Sequence, residues 1–261
     1  MRYETAAPVS GEPLRGRIAL VTGASSGLGR HFAGVLAAAG ARVVVGARRV
    51  DRLATLVEDI RAAGGEALAV ALDVTNEASV RHAYDAAEDR FGAVTAIVAN
   101  AGISIAGRAT ELSVEDFDVH YAVNVRGAFL TAREGARRLQ QANRGTEGRV
   151  VLISSITART RTTGTAAYSS SKAAVSHLGL LLAREWARTG PNVNVISPGY
   201  IRTELAGDFF DADAGAKQMA SWPRRRMMDA SAIDATLLHL LSDAGAQLTG
   251  TDMTIDDGQS L

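Results

Sequence analysis

Two features of this 261-residue sequence predict an α/β fold: a doubly wound parallel sheet of seven strands with helices on both faces. From Arg17 onward, short β-branched runs alternate with Ala-rich stretches of helical length, the pattern of parallel strands joined by crossover helices. The runs are almost continuously apolar, as strands covered on both faces require. They are RIALVT (17–22), ARVVVG (41–46), ALAVAL (67–72), TAIVA (95–99), RVVLIS (149–154), NVNVIS (192–197) and TDMTI (251–255). Helices are expected over 28–39, 50–63, 76–91, 113–141, 165–189 and 230–242. Asn76 and Ser113 stand where N-caps belong, and Gly40 and Gly64 where helices stop. The stretch 204–226, ELAGDFFDADAGAKQMASWPRRR, interrupts the alternation and is expected to be a lid.

Composition narrows the function classes. Hydrophobic residues make up 47% and charged residues 21%, with 28 basic and 28 acidic side chains and no cysteine. One domain over 14–261, following a loose tail at 1–13, can bury about 75% of its unfolded surface at this length. Zero net charge gives no electrostatic attraction to nucleic acid or to an anionic membrane, so neither is an expected partner. The uncharged run 92–107 is too short and polar to cross a bilayer of about 30 Å. The absence of cysteine removes disulfides and thiolate chemistry, and the cytoplasm is the expected location. Histidines at 31, 82, 120, 177 and 239 show no zinc-site spacing, and no metal is expected.

After the first strand comes TGASSGLG (22–29), with glycines at 23, 27 and 29 opening a helix. Glycine allows a tight turn and close backbone approach to a pyrophosphate, and the helix N-terminus favours anionic oxygens. Any fixed three-glycine spacing arises by chance about 0.3 times in such a chain, so the position between strand and helix carries the signal. It indicates a Rossmann-type dinucleotide site. NAD sites place an acidic residue about 20 residues beyond the first glycine, to bind the adenosine ribose hydroxyls. Here no acidic residue lies between Glu12 and Asp51; the second strand ends in Ala47, followed by Arg48 and Arg49. Two guanidinium groups suit a 2′-phosphate, so NADP(H) is favoured, with NAD(H) the alternative. A solvated basic helix entry is the plainer reading of the same arginines, since 26 of the 28 cations are arginine.

A second constellation lies in VVLISSITARTRTTGTAAYSSSKAAV (150–175). Tyr168 and Lys172 stand four apart at a helix start, with Ser155 thirteen residues before the tyrosine. The i, i+4 spacing puts phenol and ammonium on one helical face. A phenol of pKa near 10 is a poor base at neutral pH, and lowering it by two or three pH units requires roughly 3 to 4 kcal/mol. One ammonium about 5 Å away supplies roughly 3.3 kcal/mol at an effective dielectric near 20, so Lys172 alone is expected to suffice. Lysine occurs only at 172 and 217. Five tyrosines and two lysines would give this spacing about 0.04 times by chance.

Together, TGASSGLG, ANAG (99–102), Asn124 in NVRG, Ser155, YSSSK (168–172) and SPGYIRT (197–203) resemble the short-chain dehydrogenase/reductase superfamily. The likeness is to its compact branch with TGxxxGxG and YxxxK motifs, such as the 3-oxoacyl-[acyl carrier protein] reductases, and it runs from about Leu14 to the C-terminus. It implies that Tyr168 is the general acid/base and that Ser155 binds the substrate oxygen. Lys172 would hold the nicotinamide ribose and lower the phenol pKa, while Asn124 would help keep a water chain from that lysine to solvent. It further implies cofactor contacts at Gly23, Ser25, Ser26, Gly27, Leu28 and Gly29, at Arg48, Arg49, Asp73 and Val74, at Asn100, Ala101 and Gly102, and at Pro198, Gly199, Ile201 and Thr203. Asn100 would also brace the central sheet, and Asp73 read alone is equally a turn or helix cap.

The implied activity is interconversion of a carbonyl, ketone or 3-oxoacyl, with a secondary alcohol. Hydride passes between nicotinamide and carbon while Tyr168 handles the proton. Two departures from the family stand out: Ser26 occupies a position often basic in NADP-dependent relatives, and PRRRMMDASAID (223–234) lacks a common Gly-x-Pro-Glu-Glu pattern. A regulatory or redox-sensing protein that binds NADP(H) without turnover is the alternative function. Such proteins typically lose the tyrosine or lysine, and both are present. The epimerases and dehydratases of the extended branch fit less well, because they use a TGxxGxxG spacing. Phe209, Phe210, Met219 and Trp222 are either substrate contacts or packing, and Arg224 to Arg226 either attract an acidic carrier or face solvent. The resemblance also implies a homotetramer, or failing that a dimer, built on the helices at 113–141 and 165–189.

Overall fold

A computed structural model describes residues 11–204 and 209–261. Seven strands form one parallel sheet: β1 (Ile18–Thr22), β2 (Arg42–Ala47), β3 (Glu66–Ala71), β4 (Ala96–Ala99), β5 (Arg149–Ile153), β6 (Asn192–Pro198) and β7 (Asp252–Ile255). Their order is β3-β2-β1-β4-β5-β6-β7. Each strand falls within a residue or two of the apolar run that predicts it.

Because strand side chains alternate, neighbouring residues feed different cores. On one face Val21, Val45, Val98, Val151 and Ile196 meet three helices, α1 (Gly27–Ala38), α2 (Val50–Ala62) and α8 (Asp234–Leu241), through residues such as Phe32, Leu53 and Leu237. On the other face Leu20, Val44, Ile97, Leu152 and Val195 meet α3 (Glu77–Phe91), α5 (Gly127–Gln141) and α6 (Ala166–Trp186) through Tyr84, Leu130 and Leu182. Each fully buried large side chain contributes about 1.5–3 kcal/mol of transfer free energy.

Asn76 caps α3 by accepting a hydrogen bond from Ser79 N–H at 3.0 Å, and Ser113 caps α4 (Val114–His120) from Asp116 N–H at 3.0 Å. Beyond that cap the expectation of one uniform helix over 113–141 is corrected. A π-helical segment, Tyr121–Arg126, joins α4 to α5. The wider turn shifts the residues after it around the helix, and such insertions concentrate at functional sites. The 204–226 stretch is likewise more regular than expected: it contains α7 (Asp213–Ser221), seated on the turn Phe209–Asp211 through the small Gly215. Positions 205–208 of that stretch, and 1–10 of the N-terminal tail, lie outside the described residues. Leu14 is fully buried, and its N–H donates to Ala39 O at 2.9 Å.

The strand order reverses between β1 and β4, whose outgoing chains part toward opposite faces. The parting opens a crevice at the carboxyl edge of the sheet, the general ligand position in such folds. Close approach of α5 to the sheet depends on Gly135, where an added Cβ would stand 2.2 Å from Ile97 Cδ1 and 2.6 Å from the Tyr84 hydroxyl. Gly135→Ala is therefore expected to lower the unfolding free energy by about 1–3 kcal/mol, measured by urea denaturation.

Candidate active site

The crevice has a volume of about 710 Å³. One wall is the turn after β1. At Gly23, φ is +70° and a Cβ would lie 2.8 Å from Ala101 Cα; at Gly29 it would lie 2.3 Å from Gly23 O. Both positions exclude a side chain, but for different reasons. Gly23 keeps the crevice wall open, whereas Gly29 is buried behind it and lets α1 pack onto its own entry turn. Asn100 closes the seam between β1 and β4: its Nδ2 donates to Thr22 O at 2.9 Å, and Thr22 Oγ1 accepts from the N–H groups of Asn100 and Ala101. Ser25, Ser26, Gly27 and Leu28 line the crevice beside this seam, as do Gly102 and the Asp73–Val74 pair after β3. Asp73 also builds its own turn by accepting from Thr75 N–H at 2.9 Å and Thr75 Oγ1 at 2.7 Å, which holds its carboxyl below the usual range.

Arg48 and Arg49 both face the crevice. Arg49 folds back onto the turn, donating to Ser25 Oγ at 3.2 Å and Ser26 Oγ at 2.7 Å. A cation from the entry of α2 thus reaches the place where the sequence itself offers only Ser26. Pro198, Gly199, Ile201 and Thr203 form the opposite rim after β6.

The second constellation lies deeper. Tyr168, in the first turn of α6, and Ser155, just beyond β5, share one wall with Lys172. Lys172 is 4% exposed; its Nζ donates to Ile153 O at 2.9 Å and sits 5.8 Å from the centre of the Tyr168 ring. The i, i+4 spacing does bring phenol and ammonium together. Ser155 Oγ accepts from Thr157 N–H at 3.2 Å and from Thr157 Oγ1 at 3.0 Å, which turns its own proton toward the phenol of Tyr168. Thr157 has no signal in the sequence, since only the turn after β5 gives it this contact.

Burial reverses one electrostatic expectation. Protein packed around Tyr168 pushes its phenol up to about 12; the hydrogen bond with Ser155 pulls the other way, and nearby Tyr200 adds to the rise. Burial also pushes Lys172 down to about 8. Desolvation disfavours both charged forms, and here it outweighs the attraction that the sequence suggests between them. The phenol is therefore in its acid form at neutral pH.

Asn124, 1% exposed within the π-helical segment, lies behind the crevice. Its Oδ1 accepts from Ile103 N–H at 2.9 Å, and its Nδ2 donates to Ile103 O at 3.1 Å and Ser171 Oγ at 2.9 Å. One amide thereby pins the loop after β4 to the helix that carries Tyr168 and Lys172. Fully buried His120 holds the same loop, its Nε2 accepting from Ile105 N–H at 2.9 Å.

Around the mouth, Phe209 and Phe210 line the crevice. Trp222 is buried behind them, stacked on Tyr200 with ring centres 5.1 Å apart. Tyr200 is fixed by Gln259, which accepts from its N–H at 2.6 Å and donates to its carbonyl at 3.2 Å. Sequence reasoning passes over Gln259, which lies 59 positions away from its partner. Two of the arginines at 224–226 are already engaged: Arg224 and Arg226 both pair with Asp257. Among the described residues, no helix is long and apolar enough to cross a membrane.

The reversed strand order and the glycine turn at its switch point define a doubly wound dinucleotide-binding protein. The sequence profile of the short chain dehydrogenase family matches residues 17–214. A 2,5-dichloro-2,5-cyclohexadiene-1,4-diol dehydrogenase of Sphingobium indicum is 36% identical over 248 residues, covering 95% of this chain and 98% of that protein. The crystal structure of a short-chain type dehydrogenase/reductase from Mycobacterium marinum superposes with a TM-score of 0.89 at 36% identity, covering 95% of this chain and 96% of that one. A gluconate 5-dehydrogenase from Burkholderia cenocepacia, solved in complex with NADP and tartrate, gives a TM-score of 0.89 at 30% identity over 95% of this chain and 98% of that one. The chain belongs to the short-chain dehydrogenase/reductase family, oxidoreductases that interconvert alcohols and carbonyls with a nicotinamide dinucleotide.

The buried ammonium has a consequence for stability. The folded-state value of Lys172 lies below its usual 10.5, so the unfolded chain binds more protons between pH 8 and 10.5 and stability climbs across that window. Replacing the charge by an isosteric apolar chain in Lys172→Met removes the desolvation cost and leaves the Ile153 carbonyl without its donor. The variant is expected to be about 2 kcal/mol more stable at pH 7. That advantage should shrink toward pH 10, as shown by urea unfolding at the two pH values.

Proposed function

We propose that the protein reduces a ketone to a secondary alcohol, or runs the reverse oxidation, with Tyr168 as the proton donor and NADP(H) as the preferred cofactor. The observation that carries this reading is the convergence of Tyr168, Ser155 and Lys172 on one wall of the crevice whose other wall is the glycine turn. The residues present fit a dinucleotide. The turn at Gly23 admits no Cβ, Ser25 and Ser26 present hydroxyls, and Arg49 brings a guanidinium to them. Gly23 to Leu28, Arg48, Arg49, Asp73, Val74, Asn100 to Gly102 and the rim from Pro198 to Thr203 would hold the cofactor, which when bound supplies or accepts the hydride.

The chain's own groups do the rest. Ser155, its oxygen held by Thr157, turns the proton it gives to the phenol toward the substrate oxygen, and that bond gains strength as negative charge builds there. Tyr168, kept in its acid form by burial, delivers a proton to that oxygen. Lys172 keeps a positive charge beneath the phenol when the tyrosinate forms. Its ammonium shares Nζ donors between the Ile153 carbonyl and the crevice, where Gly102 leaves room beside it. Asn124 positions this set by fixing the Ile103 loop against α6. Glu204, Phe209, Phe210 and Gln218 line the mouth and limit the access of water there.

Self-association follows from another surface. Val114, Phe117 and Val119 on α4 and Leu181 on α6 are 70%, 42%, 45% and 53% exposed. Val119 also borders a groove lined by Tyr121, Ala122, Val125, Phe129 and Leu178 and edged by Asp118 and Arg126. A second copy of the chain covers such a face with the least cost and closes a dimer; the tetramer expected from the family resemblance needs a second face as well.

Tyr168→Phe removes the hydroxyl, and with it both the proton donor and the hydrogen bond with Ser155, while keeping the ring. It is expected to lower turnover of a carbonyl substrate by about 10² to 10⁴-fold, with NADPH affinity by direct titration within about twofold of the wild type. A variant that retains wild-type turnover would exclude this mechanism, and a wild-type protein that binds NADPH but turns over no carbonyl in a broad panel would favour the regulatory reading. Leu178→Asp places a charge in the apolar groove and should convert the assembly to a smaller species in sedimentation velocity.

A further inference from the structure

The sequence around Arg49 lacks the carboxylate that marks an NAD site, but the fold supplies one from far away. Glu204, which follows the crevice rim at Thr203, accepts from Arg49 Nη1 at 3.1 Å through Oε2 and from Arg52 Nη1 at 2.5 Å through Oε1. It lies 155 positions from Arg49 in the chain. The same Arg49 guanidinium uses its other donors on Ser25 and Ser26 of the glycine turn. Three side chains from two segments thus converge on one guanidinium, and a second guanidinium, that of Arg52, joins Glu204 from one turn along α2. The two arginines hold the Glu204 carboxyl below its usual range.

From this we infer that Glu204 is a specificity-determining residue for the cofactor, discriminating against the 2′-phosphate and in favour of the unphosphorylated adenosine ribose. The inference rests on the dinucleotide reading above. A carboxylate and a phosphate monoester make the same demand on a guanidinium, two coplanar oxygen contacts, and they compete for it. NADP(H) must displace Glu204 from Arg49 and Arg52, or accept a like charge beside its phosphate, before it can use those donors. NAD(H) brings no such charge. Its free ribose hydroxyls are donors, which a carboxylate accepts and which two bare arginines do not. Glu204 therefore narrows the preference that Arg48 and Arg49 create, and the site takes both cofactors. Exposed ion pairs are individually weak, so the narrowing is several-fold rather than absolute.

The experiment is a direct binding titration of NADPH and NADH, by calorimetry, against the wild type and the variants Glu204→Gln and Glu204→Ala. The side chain is about half exposed, so both variants keep the fold. In Glu204→Gln the expected Kd for NADPH falls by roughly three- to tenfold. The Kd for NADH stays level or rises, so the NADPH-to-NADH preference widens by at least threefold. Adenosine 2′,5′-bisphosphate and 5′-AMP, titrated as fragments without nicotinamide, should split the same way. Equal shifts for the two cofactors, or weaker NADPH binding in the variants, would overturn the assignment and leave Glu204 a surface ion pair. A wild-type chain that binds neither cofactor nor fragment would remove the dinucleotide reading and this one with it, a result distinct from a bound but undiscriminated pair.

Discussion

The cost of burying charge at the carboxyl edge of the sheet governs most of what this protein does. Lys172 reaches through the packing of α6 to the end of β5, and among the described residues its one hydrogen-bond partner is the Ile153 carbonyl. A single neutral acceptor repays little of the desolvation, which is why the ammonium is held near 8 while the phenol above it is held near 12. Both groups are strained away from their charged forms, and in a low-dielectric crevice any nascent tyrosinate and retained ammonium stabilise one another strongly. In the proposed reaction, that interaction is released at the moment of proton transfer. This is the usual conflict between stability and function, located here in one side chain.

A site of this kind needs its walls fixed, and small residues and single amides do the fixing. Thr22 and Asn100 sew the ends of β1 and β4 together where the chain direction diverges. Asn124, within the π-helical segment, clamps the next loop to α6 with three side-chain hydrogen bonds. On the far rim, Gln259 holds both backbone groups of Tyr200, and Asp257 gathers Arg224 and Arg226. The C-terminal turn thus anchors both Tyr200 on the crevice rim and the arginines that follow α7. In an arginine-rich chain, arginines tied to carboxylates in this way organise the surface without adding net charge, consistent with 28 cations balancing 28 anions.

Local pattern was enough to determine the seven strands, the caps at Asn76 and Ser113, the glycine turn, and the meeting of Tyr168 with Lys172. Each depends on neighbours within a few residues or on burial averaged over a whole element, and amphipathic period records both. The long helix from Ser113 was legible as a helix but not as one with a wider turn at Asn124, because that turn answers to the Ile103 loop, which periodicity does not register. Thr157, Gln259 and Glu204 were invisible for the same reason: each acts on a partner it meets only after the sheet has been assembled. The protonation of the phenol was decided at that stage too. Charge separation can be counted along a helix, but the dielectric around it is set by every segment that packs against it. Sequence therefore determined which chemical groups the crevice contains, and tertiary structure alone decided how much water they lose and which distant side chains compete for them.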